Sequence, residues 1–322
     1  LGTAAYFSAP DLFPLIVFKG VNLSVKHGNS HESTIAYSSY GIILCAVLGD
    51  IEAGYRFGQL ALRLLSRFNG GGLRARTLEM VNNFVKHWKE ALRKGLELSL
   101  EAFQSGLQTG NFEWASYAAQ NYCVNSFIVG KELGGLEEEF KKYSEVIGKL
   151  KQEIPFYSSK LNQQTVLNLI DKSENPYRLV GKSYNEEKML SRHLQANDGC
   201  SLFALYLTKT LLCYLFQKHH EAVENAAKAE KYLDNVTGEA VFPLFHFYNS
   251  LSLIAVFPHA QRLEKRRILK KVAMIQKKMK KWAHHAPMNY LHKFYLVEAE
   301  RCRILSENTK AIEFYDQAIS LA

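Results

Sequence analysis

The segment that comes nearest to a phosphate-binding loop is PYRLVGKS, which runs from Pro176 to Ser183. A P-loop needs a glycine at both ends so that backbone N–H groups can surround the phosphates, and it follows a buried strand. Here Pro176 stands at the first glycine position, and no apolar strand precedes it. The sequence therefore predicts a turn that leads into a helix beginning at Asn185, rather than a nucleotide site.

The strongest candidates for metal ligands are three histidines near Pro287, namely His284, His285 and His292. Zinc needs three or four ligands at about 2 Å, and helical sites usually supply two of them four residues apart. His285 and His292 are seven residues apart, and no cysteine or carboxylate nearby completes a set. We therefore expect a structural role for these histidines, with no bound metal and no other cofactor.

No residue pattern typical of an active site occurs. The sequence contains neither a GxSxG nor an SxxK motif, and no cysteine–histidine pair has an orienting partner. The acidic run Glu137-Glu138-Glu139 is expected at a solvated helix start, because adjacent acids on a helix point in different directions and favour its N-terminus. We expect this segment to have no catalytic activity of its own.

The cysteines point to a reducing compartment. There are five, an odd number, and they are widely spaced in apolar runs without any CxxC pair. This pattern argues against a disulfide framework and a zinc knuckle, and favours buried free thiols in the cytoplasm. No uninterrupted apolar run approaches the roughly 20 residues of a membrane span, and no secretory leader is recognisable. Because the chain starts at Leu1 rather than Met and stops at Ala322 inside an expected helix, we interpret it as part of a longer protein.

The net charge is concentrated in one short window. The chain of 322 residues has 40 lysines and arginines against 31 acids, a formal charge of +9. Ten of those basic residues and one acid lie between Arg262 and Lys281, so the remaining chain has 30 of each sign. The charge therefore belongs to a single helix-length segment on an otherwise neutral chain.

The basic segment has the pattern of an amphipathic helix. Its apolar residues repeat at intervals of four and three, which places them on one face. They are Ile268, Val272, Ile275, Met279 and Trp282. The basic side chains fill the other faces, and Trp282 beside them resembles an interfacial anchor. The structural interpretation is that the stripe packs in the core while the charges stay in water.

Three functional interpretations also fit this helix: an anionic membrane surface, nucleic-acid phosphates, or an acidic face of another domain. The segment lacks the interleaved aromatics of a stacking platform, and nothing else in the chain extends a basic track, which argues against nucleic acid. A membrane surface is also disfavoured. The candidate interaction residues of the segment are Arg266, Arg267, Lys270, Lys271, Lys277, Lys278, Lys281 and Trp282.

The segments around these candidates have helical periodicity, and alternating strand-like runs are scarce. Glycine, asparagine and proline breaks separate stretches of some 15–20 residues, the length of ordinary helices. The breaks are Gly28-Asn29, Asn69-Gly70-Gly71-Gly72, Gly134-Gly135, Asn175-Pro176, Asn197-Asp198-Gly199, Pro258 and Pro287, with shorter turns at Gly49-Asp50 and Gly110-Asn111. The sequence therefore predicts an all-α fold built from helix pairs.

Small residues recur where tetratricopeptide repeats bring two helices close together. Four segments carry them on a second helix, and their spacing exceeds the 34 residues of a regular repeat, so degenerate helix pairs are expected between them. The positions are Gly54, Gly58 and Ala61; Ala115, Ala119 and Tyr122; Ala222, Ala226 and Ala229; and Ala311, Tyr315 and Ala318. We predict tetratricopeptide-like antiparallel helix pairs in one right-handed superhelix. It would comprise an N-terminal half (1–150), a helical connector (151–198) and a C-terminal half (199–322).

Four stretches resemble one family over essentially the whole chain: residues 110–123, 196–216, 241–258 and 278–303. The family is that of large bacterial signalling multi-kinases. Its members join a serine/threonine kinase-like domain, a STAND/AAA-type ATPase, a helical-repeat region, GAF-type sensors and a histidine kinase. The resemblance lies within the helical-repeat region, and no HRD, DFG or histidine-kinase phosphoacceptor motif is present in the chain.

The resemblance implies a regulatory, protein-interaction region between the ATPase and the sensor and histidine-kinase modules. Its partners would be other domains of the same polypeptide or a separate protein, and the parent would bind ATP. In the last repeat, the tetratricopeptide pattern predicts that Lys293, Leu296, Glu300 and Arg303 line the groove. The alternative is a nucleic-acid-binding regulator that uses the helix at 262–281.

Overall fold

The computed structural model describes residues 11–68, 71–170 and 175–322, which form fifteen α-helices and contain no β-strand. The helices are α1 (Leu12–His27), α2 (Ser33–Ile42), α3 (Ile51–Arg67), α4 (Arg74–Phe84), α5 (Gly95–Thr109), α6 (Phe112–Ile128), α7 (Leu133–Lys149), α8 (Glu153–Ile170), α9 (Glu186–Gln195), α10 (Gly199–Leu215), α11 (His219–Glu230), α12 (Val241–Val256), α13 (Arg262–His285), α14 (Pro287–Ile304) and α15 (Asn308–Ser320). The all-α prediction is confirmed.

The described residues divide into two compact units. The first comprises the described residues up to Val129, together with Ile147–Gln152. The second comprises Gly130–Val146 and the described residues from Glu153 onward. The basic helix α13 and the neighbouring candidate residues of α14 all belong to the second unit.

In the first unit, α2 packs against α3, and α5 packs against both α4 and α6. In addition, α4 contacts both α2 and α6. The predicted turns at Gly49 and Gly110 are confirmed, because both glycines end a helix with left-handed φ angles of 69° and 72°. Asp50 then caps α3 by accepting a hydrogen bond of 3.0 Å from the N–H of Ala53. The predicted break at Asn69-Gly70 lies outside the described residues.

The glycines of α3 allow a close approach between helices. A Cβ atom at Gly54 would lie 2.7 Å from the carbonyl oxygen of Gly41 and 2.9 Å from the backbone nitrogen of Cys45. No side chain fits at such distances without a shift of the backbone. The prediction that Gly54 and Gly58 are small contact positions is therefore confirmed, since both are buried.

In the second unit, α10 packs with α11, α12 with α13, and α14 with α15. The first helices of these pairs, α10, α12 and α14, contact one another in series. The predicted alanines are buried where the paired helices meet. These alanines are Ala222, Ala226, Ala229, Ala311 and Ala318.

One predicted break is misplaced. Gly134 and Gly135 lie in the first turn of α7, and the chain instead turns at Gly130, where φ is 75°. The Glu132 carboxylate accepts hydrogen bonds of 2.7 Å from both glycine N–H groups. These are first-turn donors that no helical carbonyl can satisfy, so a preceding acceptor makes the glycines compatible with a helix start.

The segment Val241–His259 is long and apolar enough to cross a membrane by length and composition alone. The sequence analysis considered uninterrupted apolar runs, whereas His246, Asn249 and Ser250 interrupt the apolar residues of this segment. Inside the protein, 61% of its apolar window is buried. Its composition serves the packing of α12 against α10, α13 and α14.

Candidate interaction surface

Helix α13 presents its apolar stripe to the core of the second unit. It has 24 residues and is therefore about 36 Å long. Its stripe residues Ile268, Val272, Ile275 and Met279 are at most 5% exposed and pack against α12 and α14, including Val297. The prediction that this stripe packs inside the helical array is confirmed.

Trp282 ends the stripe in an aromatic cluster. Its ring centroid lies 5.7 Å from that of Phe242 and 5.6 Å from that of His246, both on α12. The indole is half-buried and packs against the same core cluster as the stripe. Its ring is thus committed to α12 rather than presented to a ligand.

The basic side chains of α13 project away from this core. Eight of the ten are exposed, and the other two, Lys265 and Lys271, are half-buried. Lys271 Nζ lies 2.7 Å from a carboxylate oxygen of Glu230 on α11, and Lys265 Nζ lies 5.2 Å from the ring centroid of Phe257. Within the described part of the chain, none of the other nine has a carboxylate within 4.0 Å. The helix therefore presents a dense positive face whose charges are almost entirely unpaired with carboxylates of the described residues.

A groove of about 470 Å³ borders this face between α12 and the first half of α13. Leu253, Leu263 and Ile268 supply its apolar walls, and the polar lining residues are Gln261, Glu264, Arg267 and Lys271. Leu263 is 70% exposed, and it lies off the buried stripe. Sequence reasoning missed the groove, although a leucine on the polar side of a basic helix was a signal that could have found it.

His246 lies beneath the positive face without a hydrogen-bond partner. It is 4% exposed, and neither ring nitrogen has a partner among the described residues. Burial, reinforced by the charges of Lys278 and Lys271, lowers the pKa of His246 to about 3. The imidazole is therefore neutral in the folded protein, where it serves as an aromatic packing group.

Replacing His246 with leucine is expected to reduce the acid sensitivity of the second unit. The pKa of His246 in the folded protein lies below the ordinary value of 6.5, so its contribution to stability is present above pH 6.5 and falls as the pH drops toward 3. At about pH 5 the loss amounts to about 2 kcal/mol of unfolding free energy, from 1.36 kcal/mol per pH unit. Urea unfolding followed by circular dichroism at pH 7 and about pH 5 measures it.

The matched control is His220→Leu, which removes an exposed histidine and should leave the acid dependence unchanged. His292, whose pKa burial lowers to about 4, and His219, whose pKa burial also lowers, should contribute further acid sensitivity. An unaltered pH dependence in His246→Leu would contradict the buried neutral state.

The four predicted groove residues of α14 have different environments. Lys293 Nζ donates to the Asn289 carbonyl oxygen at 3.1 Å and lies 2.9 Å from His292 Nε2, and burial lowers the Lys293 pKa to about 8. Leu296 is half-buried against the core cluster. Arg303 donates from Nε and Nη2 to one Glu300 oxygen at 3.1 and 2.6 Å.

Two of these residues, Glu300 and Arg303, form an ion pair that lies near Tyr214 of α10. The Tyr315 hydroxyl also hydrogen-bonds Glu300, and the opposing charges of Glu300 and Arg303 both act on Tyr214 of α10. Burial is the main cause of the raised pKa of Tyr214. The structure therefore joins Glu300 and Arg303 into one pair, whereas the hydrogen-bond partners of Lys293 lie on its own helix. That these four residues of α14 line a groove stays a prediction.

The segment that resembles a phosphate loop is a closed turn. The Gln164 side-chain oxygen accepts from the N–H groups of Ser183 at 3.0 Å and Tyr184 at 3.4 Å, so these donors are already used. Asn185 then caps α9 by accepting from the next two available N–H groups, those of Glu187 and Lys188. The prediction of a turn leading into a helix is confirmed. Across residues 11–68, 71–170 and 175–322, no three histidine, cysteine or acidic side chains are placed to hold a metal ion.

One buried network was not anticipated from the sequence. His193 Nε2 lies 3.0 Å from the Tyr184 hydroxyl, and its Nδ1 lies 3.4 Å from a carboxylate oxygen of Asp198. Asp198 also caps α10 through the N–H of Ser201 at 3.0 Å. Tyr184 and His193 are each 3% exposed, so the network joins α9 to the start of α10 and is closed to a substrate.

Comparison with known proteins gives a distant signalling relative. No protein-family model matches the chain, and no solved structure matches it. The hybrid signal transduction histidine kinase G of Dictyostelium discoideum is 24% identical over 144 residues. The match covers 44% of this chain and 4% of that protein's length, so the chain corresponds to a small part of it. The all-helical chain is thus distantly similar to part of a signalling histidine kinase.

Proposed function

We propose that this chain is a non-catalytic regulatory region of a multidomain signal-transduction kinase, and that it binds other modules of that kinase or a separate protein. In this proposal it couples an ATPase module to sensor and histidine-kinase modules in the cytoplasm. The distant similarity to a hybrid signal transduction histidine kinase supports the signalling context. The kinase and ATP-binding activities belong to the proposed parent protein.

The proposed architecture is a tetratricopeptide-like, right-handed superhelix. Two features support it: three successive helix pairs in the second unit, and the serial contacts of α10, α12 and α14. In such an array each pair is buried only against its neighbours, so the array can flex and present a long surface. A partner that prefers one shape of the array would shift the parent between resting and active states.

The observation that carries the proposal is the uncompensated positive face of α13. Among the described residues, nine of its ten basic side chains lack a carboxylate partner. Charges arranged in this way steer and orient an acidic partner surface. The proposed docking residues are Arg266, Arg267, Lys270, Lys271, Lys277, Lys278 and Lys281.

Lysine footprinting by mass spectrometry tests whether this face is covered in the cell. The protein is acetylated in its native assembly and, separately, as the purified chain. We expect the reactivity of Lys270, Lys277 and Lys281 to fall several-fold in the native assembly. Lys182 and Lys188 are exposed lysines outside α13, and their reactivity should stay the same.

Nuclease treatment separates the proposal from its alternative, a nucleic-acid-binding regulator. That alternative draws on the same exposed bases, since phosphate contacts need only clustered lysines and arginines. Protection that survives nuclease supports a protein partner, whereas protection lost after nuclease supports the alternative. Equal reactivity in both preparations would contradict docking on α13.

A further inference from the structure

The groove between α12 and α13 has the composition of a recognition site for an amphipathic helix. Its walls are aliphatic, from Leu253, Leu263 and Ile268, and its polar lining consists of Arg267 and Lys271 together with Gln261 and one acid, Glu264. Grooves that bind helices offer an apolar floor for anchors and a polar rim that sets orientation. The 70% exposure of Leu263 leaves an aliphatic side chain available at the edge of this floor.

The rim residues have the spacing that a helical partner would meet. Leu263, Arg267 and Lys271 are four residues apart, so they form one row along α13 with steps of about 6 Å. Lys278 continues the same side of the helix two turns later. One carboxylate already occupies this row, because Glu230 of α11 pairs with Lys271 at 2.7 Å. An incoming acidic side chain would find the same kind of contact at Arg267.

Charge complementarity selects the occupant. Among the described residues, Lys271 is the one base of α13 that pairs with a carboxylate, and Glu264 is the single acid of the helix, so an acidic segment gains net attraction along it. Nucleic acid would gain little from the aliphatic walls, and Trp282 is committed to Phe242 and His246 rather than free to stack on bases. A membrane would meet only two large exposed apolar side chains on this helix, Leu263 and Met274.

We propose that the groove formed by Leu253, Leu263, Ile268, Arg267 and Lys271 binds an acidic amphipathic helix of a protein partner. Leucine-type anchors of that helix enter between α12 and α13, and its carboxylates pair with Arg267 and the neighbouring bases. This inference rests on the proposed function and names the chemistry of the partner segment.

Fluorescence anisotropy tests the groove with a synthetic amphipathic peptide of about 18 residues, with leucines on one face and glutamates beside them. We expect saturable binding that weakens between about 50 and about 300 mM salt. The double variant Leu263→Ser, Arg267→Glu should weaken binding by about tenfold or more. Both residues are exposed, and an unchanged melting temperature confirms that the variant folds.

The matched control is Arg262→Glu, Lys280→Glu. These residues are exposed and lie eighteen residues apart, so they share one side of α13, about 140° around the helix from Arg267. The control makes two charge reversals where the test variant makes one, yet it should weaken the peptide less. A control that weakens binding as much as the test variant would overturn the groove, because it would indicate diffuse attraction to the helix.

Three further probes decide between occupants. A peptide whose leucines are replaced by serine should bind much more weakly, and equal binding would overturn the proposal. Duplex DNA or phosphatidylserine vesicles that bind more tightly than the peptide, and lose binding in the groove variant, would assign the site to that ligand instead. If footprinting shows α13 covered but the peptide does not bind, the proposed function stands and the acidic-helix inference fails. If the peptide binds but footprinting shows no protection of α13 in the native assembly, the groove binds an acidic helix and the proposed docking in the parent protein fails.

Discussion

Val272→Asp is expected to lower the unfolding free energy of the second unit by about 4 kcal/mol or more. Val272 is fully buried, and its neighbours in the core cluster include Phe247, Ile254 and Val297. A carboxylate there loses its hydration without gaining a partner, which costs about 4 kcal/mol or more. Since domains are stable by only about 5–15 kcal/mol, this loss is a large fraction of the total stability. Urea unfolding followed by circular dichroism measures the loss.

Met274→Asp is the matched control on the same helix. Met274 is 60% exposed and lies four residues from both Lys270 and Lys278. An aspartate at this position can pair with either lysine, so the unfolding free energy should change by no more than about 0.5 kcal/mol. Equal destabilisation by the two substitutions would show that the stripe does not distinguish a buried face from an exposed one, and would remove the basis for the positive docking face.

The sequence was sufficient for features that depend on periodicity along one helix. Stripe positions on α13 follow from a repeat of four and three residues, and Gly54 could be recognised because close helix contacts require a small residue. The turn at Gly110 follows from the freedom of glycine to adopt a positive φ. Each of these features is local, so the three-dimensional arrangement of other helices was not needed to predict it.

Features that depend on two separate segments could not be predicted in this way. The groove needs Leu253 of α12 beside Leu263 of α13, and the pairing of Lys271 with Glu230 spans 41 residues of sequence. The misplaced break at Gly134-Gly135 has a local cause, because the side chain of Glu132 replaces the missing helical acceptors. Long-range packing and capping by a side chain leave no periodic signal in the sequence.

The buried carboxyl group of Glu79 was equally hidden, and it leads to the second large expected effect. Glu79 lies on α4 with no exposed surface, and one of its oxygens accepts a hydrogen bond of 2.8 Å from the amide of Asn121 on α6. The other oxygen has no partner among the described residues. Burial raises the pKa of Glu79 to about 7, and the hydrogen bond from Asn121 opposes this only in part.

The first unit is therefore expected to lose stability as the pH rises. The pKa of Glu79 is about 7 in the folded protein and 4.5 as the ordinary value, so its contribution is complete below about pH 4.5 and is lost as the pH rises through 7. The difference of about 2.5 pH units corresponds to about 3 kcal/mol of unfolding free energy. Glu79→Gln keeps an acceptor for Asn121 and cannot ionise, so its stability should stay level between about pH 5 and about pH 8.

We would follow urea unfolding by tryptophan fluorescence in a Trp282→Phe background. The signal then reports the first unit alone, because the other two tryptophans, Trp88 and Trp114, belong to it. Glu97→Gln removes an exposed carboxylate from α5 and should leave the pH dependence unchanged. If Glu79→Gln declines with pH as steeply as the unaltered protein, another group controls the first unit. If it stays level, a single buried carboxyl group makes the first unit weaken near neutral pH. Since His246 acts on the second unit at acidic pH, the two units would then respond to pH in opposite directions.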